Sequence, residues 1–426
     1  MTTDAAHPIT TTADPDGPKP YPAPPRSLGA LMASYFLVQL IVNTTNAGAT
    51  SFLVPLQLDE LDPATKVANL GLIGTVGAVL GIVAQPLWGA LSDRTRSRFG
   101  RRVPWVIGGI VGLSACMVAL AFSSNFLAIL VFAASLQIFY SMVAAPLIAL
   151  LPDRTPVSKR GTFSALGGLG IYVGAAAGLF AASAFAASIP TGYLVLAALT
   201  FVVATPLALL VRRDSRELPR PDRVGFAANL ASFWVSPRKH PDFAWAFLSR
   251  LVLMSGFWGV TSFLLYELQD YVGLSKQEAA GVYPVLSLAL IVGILIAIVP
   301  AGRITDRTGR RKPVVLLSSI ITGVAVIVPI ISPTVAGLAI CLFVAGLALG
   351  AYLSVDQALM TLVLPSTSAS GKDLGVLNIA QSGGQVLAPA VASIVIGIAG
   401  YPGLYVFAAV MAVLGGLAIL PIKSVR

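Results

Sequence analysis

Long stretches without a charged side chain place the strongest limit on how this chain of 426 residues can fold. Only 11% of the residues are charged, whereas a soluble protein carries about a quarter. About 20 apolar residues suffice for an α-helix to cross the hydrocarbon core of a bilayer, and a helix satisfies its own backbone polar groups there. The sequence therefore predicts an all-α integral membrane protein. Five runs contain no Asp, Glu, Lys or Arg: Leu70–Leu91, Val103–Phe122, Phe126–Leu151, Gly161–Ser188 and Thr191–Val211.

The hydrophobic segments number twelve, and two landmarks indicate that they form a duplicated unit. Asp93 and Asp306 lie 213 positions apart in similar charged loops, and Pro152 precedes Pro365 by the same offset. Repetition at one offset predicts two related halves. The predicted segments are 28–57, 70–91, 103–122, 126–151, 161–187, 191–211, 243–268, 279–301, 313–331, 334–363, 374–399 and 401–421. The predicted parts are a disordered cytoplasmic tail at 1–27, a six-helix half at 28–211, a cytoplasmic linker at 212–242 patterned in part as an amphipathic helix, a second six-helix half at 243–421 and a tail at 422–426.

The placement of basic residues predicts the orientation in the membrane. With the amino terminus in the cytoplasm, all but three of the 28 Lys and Arg residues fall in cytoplasmic loops and tails. Lys66 and Lys276 lie on the outer side, and Arg250 lies within a helix. This asymmetry follows the positive-inside rule and predicts a multi-pass protein of the cell membrane with both termini in the cytoplasm. The net charge of +10 is thus a topology signal and does not indicate nucleic-acid binding.

No combination of side chains indicates an enzyme or a metal site. His7 and His240 lie outside the predicted spans, and no nucleophile–base pair is visible. Cys116 and Cys341 fall in different halves, where apolar packing explains both. We expect no cofactor. The expected partners are a small-molecule solute and the lipid bilayer, with the protein acting as a monomer.

Two charged loops carry a repeated motif. The later copy consists of Gly302, Asp306, Arg307, Gly309, Arg310 and Arg311. The earlier copy consists of Gly89, Asp93, Arg94, Gly100, Arg101 and Arg102, with the five residues 95–99 inserted after Arg94. Glycine permits a strained backbone in such a turn, and an aspartate can meet an arginine or a helix N-terminus. A loop of this kind can hold one conformation and release it in another.

This motif, its duplicate, the twelve segments and the linker resemble the major facilitator superfamily over about residues 28–421. The resemblance implies a twelve-helix bundle of two pseudo-symmetric six-helix halves, with helices 1, 4, 7 and 10 lining a central cavity. The long first copy, through Pro104 and Trp105, is similar to that of sucrose/proton symporters and of glycoside–pentoside–hexuronide cation symporters. The second segment lacks the acids that sodium-coupled melibiose carriers use, which favours H⁺ as the coupling ion. The fifth segment lacks the Gly-Pro of multidrug antiporters, which disfavours drug efflux.

Ionisable residues within membrane spans indicate function because they are costly there. Asp356 lies about 12 Å and Arg250 about 10 Å from the cytoplasmic ends of their helices, at 1.5 Å per residue. The resemblance places both on cavity helices, so we expect them to pair, with Asp356 taking the coupling proton when the pair opens. The alternative is a permanent structural ion pair. We expect Glu267 and Asp270 to be a solvated helix end.

Polar and aromatic residues near the midplane are candidates for binding the solute, since transporter sites lie between the repeats at that depth. Amides and hydroxyls beside aromatic rings suit a neutral polyhydroxylated solute. The alternative is hydrogen bonding between helices, worth about 0.6 kcal/mol per bond. The candidates are Gln39, Asn43, Asn46, Gln137, Tyr140, Trp258, Tyr266 and Gln357, with Asn378 and Gln381 on the eleventh segment.

Together these features predict a secondary active transporter that imports a sugar or glycoside by proton-coupled alternating access. Two alternatives stay open on the sequence alone. One is proton-driven efflux of a drug-like or hydrophobic compound, and the other is a sensor that binds a solute without transporting it. Solute-dependent proton entry, lowered drug sensitivity of the host, and binding without flux would separate the three.

Overall fold

The structure is a computed structural model that describes residues 28–154, 159–210, 238–362 and 370–422. These residues form helices joined by short turns, with no strand among them. The helices are α1 (Leu28–Leu61), α2 (Lys66–Arg94), α3 (Val103–Ala121), α4 (Phe126–Arg154), α5 (Arg160–Ser183), α6 (Ile189–Leu210), α7 (241–271), α8 (Lys276–Thr308), α9 (Lys312–Ile331), α10 (Val335–Leu362), and α11 (370–399) and α12 (401–417) within the continuous run Ser370–Leu417. The twelve predicted spans are therefore confirmed.

The division between the last two helices depends on one glycine. Gly400 has φ 65° and ψ −170°, a non-helical backbone conformation inside an otherwise helical run. A side chain is disfavoured at positive φ, so glycine at this position lets the chain leave α11 and enter α12 without an intervening loop. This break lies between the predicted segments 374–399 and 401–421.

Two of the helices expected to line the cavity, α1 and α7, are irregular near the same end of the bundle. In α1 a π-helical turn, Ala49–Leu53, precedes Pro55, and the helix then runs to Leu61, four residues beyond its predicted end. The missing N–H of a proline interrupts the regular hydrogen-bond ladder. In α7 the regular α-helix is interrupted at Phe263, and the helix ends in a π-helical turn, Glu267–Tyr271. Such turns are frequent at functional sites.

The two halves pack their helices in the same pattern. In the first half α1 packs on α5, α2 on α4, and α3 on α4 and α6; in the second half α7 packs on α11, α8 on α10, and α9 on α10 and α12. Glycine permits the closest approach, between α1 and α5. A Cβ at Gly174 would overlap the Leu40 carbonyl oxygen, and one at Gly178 would overlap that of Thr44. Small residues serve this purpose wherever membrane helices touch.

Contacts between the halves identify two ends of the bundle. One end, called the motif end, carries the loops 95–102 and 309–311. The opposite end carries the turns 62–65 and 272–275 and is called the ion-pair end, because Lys66 pairs there with Asp59 and Asp270. α2 packs on α11, where a Cβ at Gly71 would overlap Ser393, and α5 packs on α8. Phe52 of α1 stacks on Tyr283 of α8 with ring centroids 6.0 Å apart. One apolar cluster therefore joins both halves toward the ion-pair end.

Candidate functional site

A buried ion pair joins two helices of the second half. The Nη2 atom of Arg250 on α7 lies 3.0 Å from the Oδ2 atom of Asp356 on α10, and the two side chains are only 2% and 1% exposed. Tyr352, one turn before Asp356, donates its hydroxyl to Oδ1 at 2.8 Å. The pairing predicted from helix depth is present in the structure.

The surroundings of this pair determine what it can do. Leu253 and Met254 of α7 and Val355 and Leu359 of α10 belong to the apolar cluster around it. Removing charges from water costs several kcal/mol per ion, and only a close partner offsets that cost. Arg250 and ionised Asp356 are therefore stable together, whereas separation favours protonation of the carboxyl. A permanent ion pair would have the same geometry, so the role in proton coupling stays a prediction.

A polar cluster connects α1 with α4 in the first half. The Tyr140 hydroxyl donates to Oδ1 of Asn43 at 3.0 Å, and Nδ2 of Asn43 donates to the backbone oxygen of Gln39 at 2.8 Å. Gln137, one turn from Tyr140, packs beside Gly77 of α2. One turn further along α1, Oδ1 of Asn46 is buried with no hydrogen-bond partner among the described residues. Of the candidates chosen from sequence, Asn43 and Tyr140 thus bond directly, and Gln39 joins them through its backbone oxygen. Asn46 has an unused acceptor, and the contact shown for Gln137 is with α2.

The candidates of the second half are distributed differently. Trp258 is half-buried on α7, with its ring edge-on to Phe257 at a centroid distance of 5.6 Å. Tyr172 of α5, which sequence reasoning missed, belongs to the first half but packs against the apolar cluster around the Arg250–Asp356 pair in the second half. Nothing in its spacing distinguishes Tyr172 from other aromatic residues of a span. The side chains of Gln357, Asn378 and Gln381 lie outside the described residues.

Two predictions at the end of α7 need correction. Tyr266, predicted to bind solute, is fully buried, and its hydroxyl donates to the backbone oxygen of Pro55 at 2.8 Å, so in this conformation it joins the two halves. Glu267 is 0% exposed and is not part of a solvated helix end. It lies in the π-helical turn that ends α7, within the predicted segment 243–268. Tyr405 donates a hydrogen bond to it at 2.8 Å.

A network of charges closes the ion-pair end. Lys66 of α2 lies 2.9 Å from Asp59 of α1 and 2.7 Å from Asp270 of α7, and Lys276 of α8 lies 2.7 Å from Asp59. Tyr401 donates to Asp270 at 3.0 Å. Lys66 and Lys276, the two lysines predicted on the outer side, therefore each pair with an aspartate of the other half. Asp270 is partly exposed, as expected, but it is paired.

The first motif loop is held by its own arginines. Arg102 Nη2 lies 2.6 Å from Oδ1 of Asp93, and Nη1 donates to Ser92 Oγ at 2.6 Å. Arg101 lies 4.0 Å from the same carboxylate. Gly100 has φ 100°, the positive value that explains a glycine at this position. Arg94 is exposed, and a Cβ at Gly89 would meet no neighbour.

The second motif loop is tighter and more exposed. Gly309 ends α8 in the left-handed conformation with φ 65°, as a C-terminal glycine commonly does. Arg307 and Arg310 are exposed, and Arg311 is half-buried at the start of α9. A Cβ at Gly302 would lie 3.8 Å from Ser354 on α10. The Asp306 side chain lies outside the described residues, so its predicted contact with an arginine stays a prediction.

Comparison with known proteins agrees with this architecture. The sequence profile of the Major Facilitator Superfamily matches residues 31–297 and 285–425. A D-xylose–proton symporter of known structure superposes with a TM-score of 0.68 at 17% identity, covering 94% of this chain and 98% of that chain. At this identity the likeness concerns the fold alone.

Two curated relatives differ in the kind of transport their names describe. The sucrose transport protein SUC3 of Arabidopsis thaliana is 31% identical over 94 residues, which is 21% of this chain and only 16% of that protein. The multidrug resistance protein MdtG of Klebsiella pneumoniae is 24% identical over 322 residues, 74% of each chain. The family match covers nearly the whole described chain. The chain belongs to the Major Facilitator Superfamily and is a multi-pass membrane transporter, not an enzyme.

Proposed function

We propose that this transporter imports a sugar or glycoside together with a proton across the cell membrane. The observation that carries the proposal is the buried Arg250–Asp356 pair on α7 and α10. It is a carboxyl within the membrane whose preferred protonation state depends on one movable partner. Similarity over 94 residues to a protein named as a sucrose transport protein supports the same proposal.

The charge asymmetry supports an orientation with the motif end in the cytoplasm. The ion-pair end then faces outward, where Lys66 bridges Asp59 and Asp270 and the Tyr266 hydroxyl bonds to Pro55. An outer end closed by these contacts corresponds to an inward-facing state. The two motif loops then lie on the side where the halves part, and the transporter works as a monomer in the bilayer.

The solute would lie between the α1–α4 polar cluster and α7. Asn43, Tyr140 and Asn46 offer an amide, a phenol and an acceptor without a partner in the described residues. Such groups can both donate to and accept from sugar hydroxyls. A flat apolar surface is also available from Trp258 and from Tyr172 of α5. Exchange of the Asn43–Tyr140 bond for bonds to a hydroxylated solute would draw α1 and α4 toward α7.

The proton would enter through Asp356. With the outer end open and the Arg250 contact loosened, water delivers a proton to the buried carboxyl, which burial then favours as the neutral acid. The neutral acid and the bound solute allow the outer end to close. After opening toward the motif end the solute leaves, Arg250 returns to the carboxyl, and the proton passes to the cytoplasm. Each cycle moves one solute and one proton in the same direction.

Efflux of a hydrophobic compound is the second candidate, because the match to MdtG spans 74% of the chain. The same helices could carry it with the proton moving against the solute. An exporter would bind lipophilic compounds through Trp258, Tyr172 and Phe257 and would need no hydroxyl-binding amides. The effect of Asn43 substitutions on transport therefore discriminates between the two candidates.

The test uses purified transporter in liposomes that contain a trapped pH-sensitive dye, exposed to a panel of mono- and disaccharides. One sugar should acidify the lumen, and the control variant Glu60→Gln, an exposed acid on α1, should behave as the wild type. Absence of a response to every sugar, with proton movement driven by lipophilic cations or antibiotics, would replace the import proposal with efflux.

A further inference from the structure

Glu267 is a buried acid that the transport cycle above does not use. Its side chain is 0% exposed within the π-helical turn that ends α7. Oε2 accepts a hydrogen bond from the Tyr405 hydroxyl at 2.8 Å, and Oε1 is buried without a hydrogen-bond partner among the described residues. Asp356, in contrast, has an arginine at 3.0 Å. The two buried acids therefore differ in whether a cation balances them.

The groups that face Glu267 are mostly phenols and a thiol. Tyr271 follows it on α7. The other side chains close enough to interact with its charge are Tyr283 on α8, Cys341 on α10, and Tyr401 and Tyr405 on α12. Asp270, three positions later on α7, is charged, but it pairs with Lys66 at 2.7 Å. Within the described part of the chain, none of the ion pairs includes Glu267.

An ionised carboxylate in this position would have neither a cation nor enough hydrogen-bond donors to stabilise its charge. Desolvation of a carboxylate that has no cation beside it favours the neutral acid. The single hydrogen bond from the Tyr405 phenol offsets that desolvation only in part. The second oxygen, free of donors among the described residues, is where the proton can reside.

The burial of Glu267 depends on contacts between the two halves. Its neighbour Tyr266 donates to Pro55 of α1, and Asp270, one turn later, pairs with Lys66 of α2. Tyr283, on the helix that faces it, stacks on Phe52 of α1. Parting of the halves at the ion-pair end would break all three contacts and admit water to this turn.

We propose that Glu267 is a second proton-binding site, occupied when the ion-pair end is closed and emptied when that end opens. The proton is taken from and returned to the solution at the ion-pair end, so it gates closure and is not itself carried across the membrane. The proposal rests on alternating access, as the proposed function does. It does not require the solute to be a sugar or Asp356 to carry the coupling proton.

Infrared spectroscopy of the full-length protein in nanodiscs tests the protonation directly. At neutral pH the wild type should show the C=O stretching band of a protonated carboxylic acid in an apolar environment. Glu267→Gln should lose the band, Tyr405→Phe should shift it, and Asp356→Asn should retain it. Loss of the band in Asp356→Asn with retention in Glu267→Gln, or absence of the band from the wild type, would overturn the proposal.

A distance measurement tests the coupling to closure. Spin labels on cysteines introduced at Ser124 and Pro333, exposed positions of the two halves at the ion-pair end, report opening, and both native cysteines are buried. A proton bound more tightly in the closed form favours that form at low pH. Measured between about pH 5 and about pH 8, the closed-to-open ratio should therefore fall as the pH rises, by at most about tenfold per unit for a single titrating group.

Glu267→Gln removes this titrating group while keeping the shape of the neutral acid. In an Asp356→Asn background, where Asp356 can no longer titrate, adding Glu267→Gln should therefore leave a closed-to-open ratio that does not change across this range. A pH dependence equal to that of the wild type in Glu267→Gln would contradict the proposal. Because neither experiment contains solute, failure of the sugar proposal would leave both results unchanged. A flat profile in the wild type would refute the gate and leave the transport proposal standing.

Discussion

Lys66 is the charge that holds the ion-pair end together. Its Nζ atom lies 2.9 Å from Asp59 and 2.7 Å from Asp270, and the side chain is only 8% exposed. It also lies 4.8 Å from the centre of the Tyr266 ring. Lys66→Met keeps the apolar stem and removes the ammonium group. We expect this change to shift the equilibrium toward the conformation that is open at this end.

The magnitude follows from the exposure of the partners. Breaking a buried ion pair costs about 3–5 kcal/mol. The lower value applies because Asp270 is 36% exposed and Asp59, at 4%, retains Lys276. A cost of about 3 kcal/mol corresponds to a shift of roughly 150-fold in the closed-to-open ratio.

The assay is the distance distribution between spin labels at Ser124 and Pro333, measured without solute. Lys276→Met is the matched control, because Lys276 is 48% exposed and, among the residues that the structure describes, pairs with Asp59 alone. An exposed pair is worth about 1 kcal/mol at most, so this variant should shift the ratio about fivefold. An unchanged distribution in Lys66→Met, or a larger shift in the control, would refute the assignment of Lys66 as the principal contact.

Three further predictions concern the inner pair, the polar cluster and the first motif loop. Arg250→Met should destabilise the protein by about 3–5 kcal/mol in thermal unfolding, because it leaves Asp356 buried without a cation. Asn43→Ala should raise the KM for the transported solute about tenfold, the effect of one or two lost hydrogen bonds. Arg102→Gln should alter the transport rate only about fivefold, since its partner Asp93 is 45% exposed and the pair is worth about 1 kcal/mol.

Each of these has a matched control. Combining Arg250→Met with Asp356→Asn should restore most of the lost stability, and no recovery would mean that the charge imbalance is not the cause. Ser135→Ala on α4, whose hydroxyl bonds within its own helix, should leave KM unchanged. Arg98→Gln alters the same loop at an arginine that lies over the ring of Phe99. Equal effects from Arg98→Gln and Arg102→Gln would count against the contact of Arg102 with Asp93.

The spans could be predicted from sequence because the physical requirement is local. A charge-free run of about 20 residues is visible without knowledge of its neighbours, and the duplication supports the count. The ends of the helices were less predictable. α1 continues to Leu61 past the charged Asp59, because Lys66 and Lys276 neutralise that aspartate from other helices.

The candidate site likewise contains residues that local sequence identifies and contacts that only the fold reveals. Arg250 and Asp356 could be paired by counting residues from the helix ends, given a resemblance that names the cavity helices. Glu267 could not be recognised as buried, because Tyr405, which bonds to it, lies 138 positions away. The Lys66–Asp270 contact likewise spans 204 positions. Sequence shows which residues are ionisable, and only the folded chain shows which of them have lost water.

In the proposed transport cycle, Asp356 couples proton entry to solute entry. The most direct measurement compares two fluxes of the transported solute in liposomes containing Asp356→Asn: accumulation driven by an inward pH gradient, and exchange of labelled for unlabelled solute without a gradient. Accumulation should be lost and exchange should persist, because the neutral amide imitates the protonated carrier and cannot release a proton. Accumulation at the wild-type level would contradict this coupling and would leave the pair of Arg250 with Asp356 a structural one.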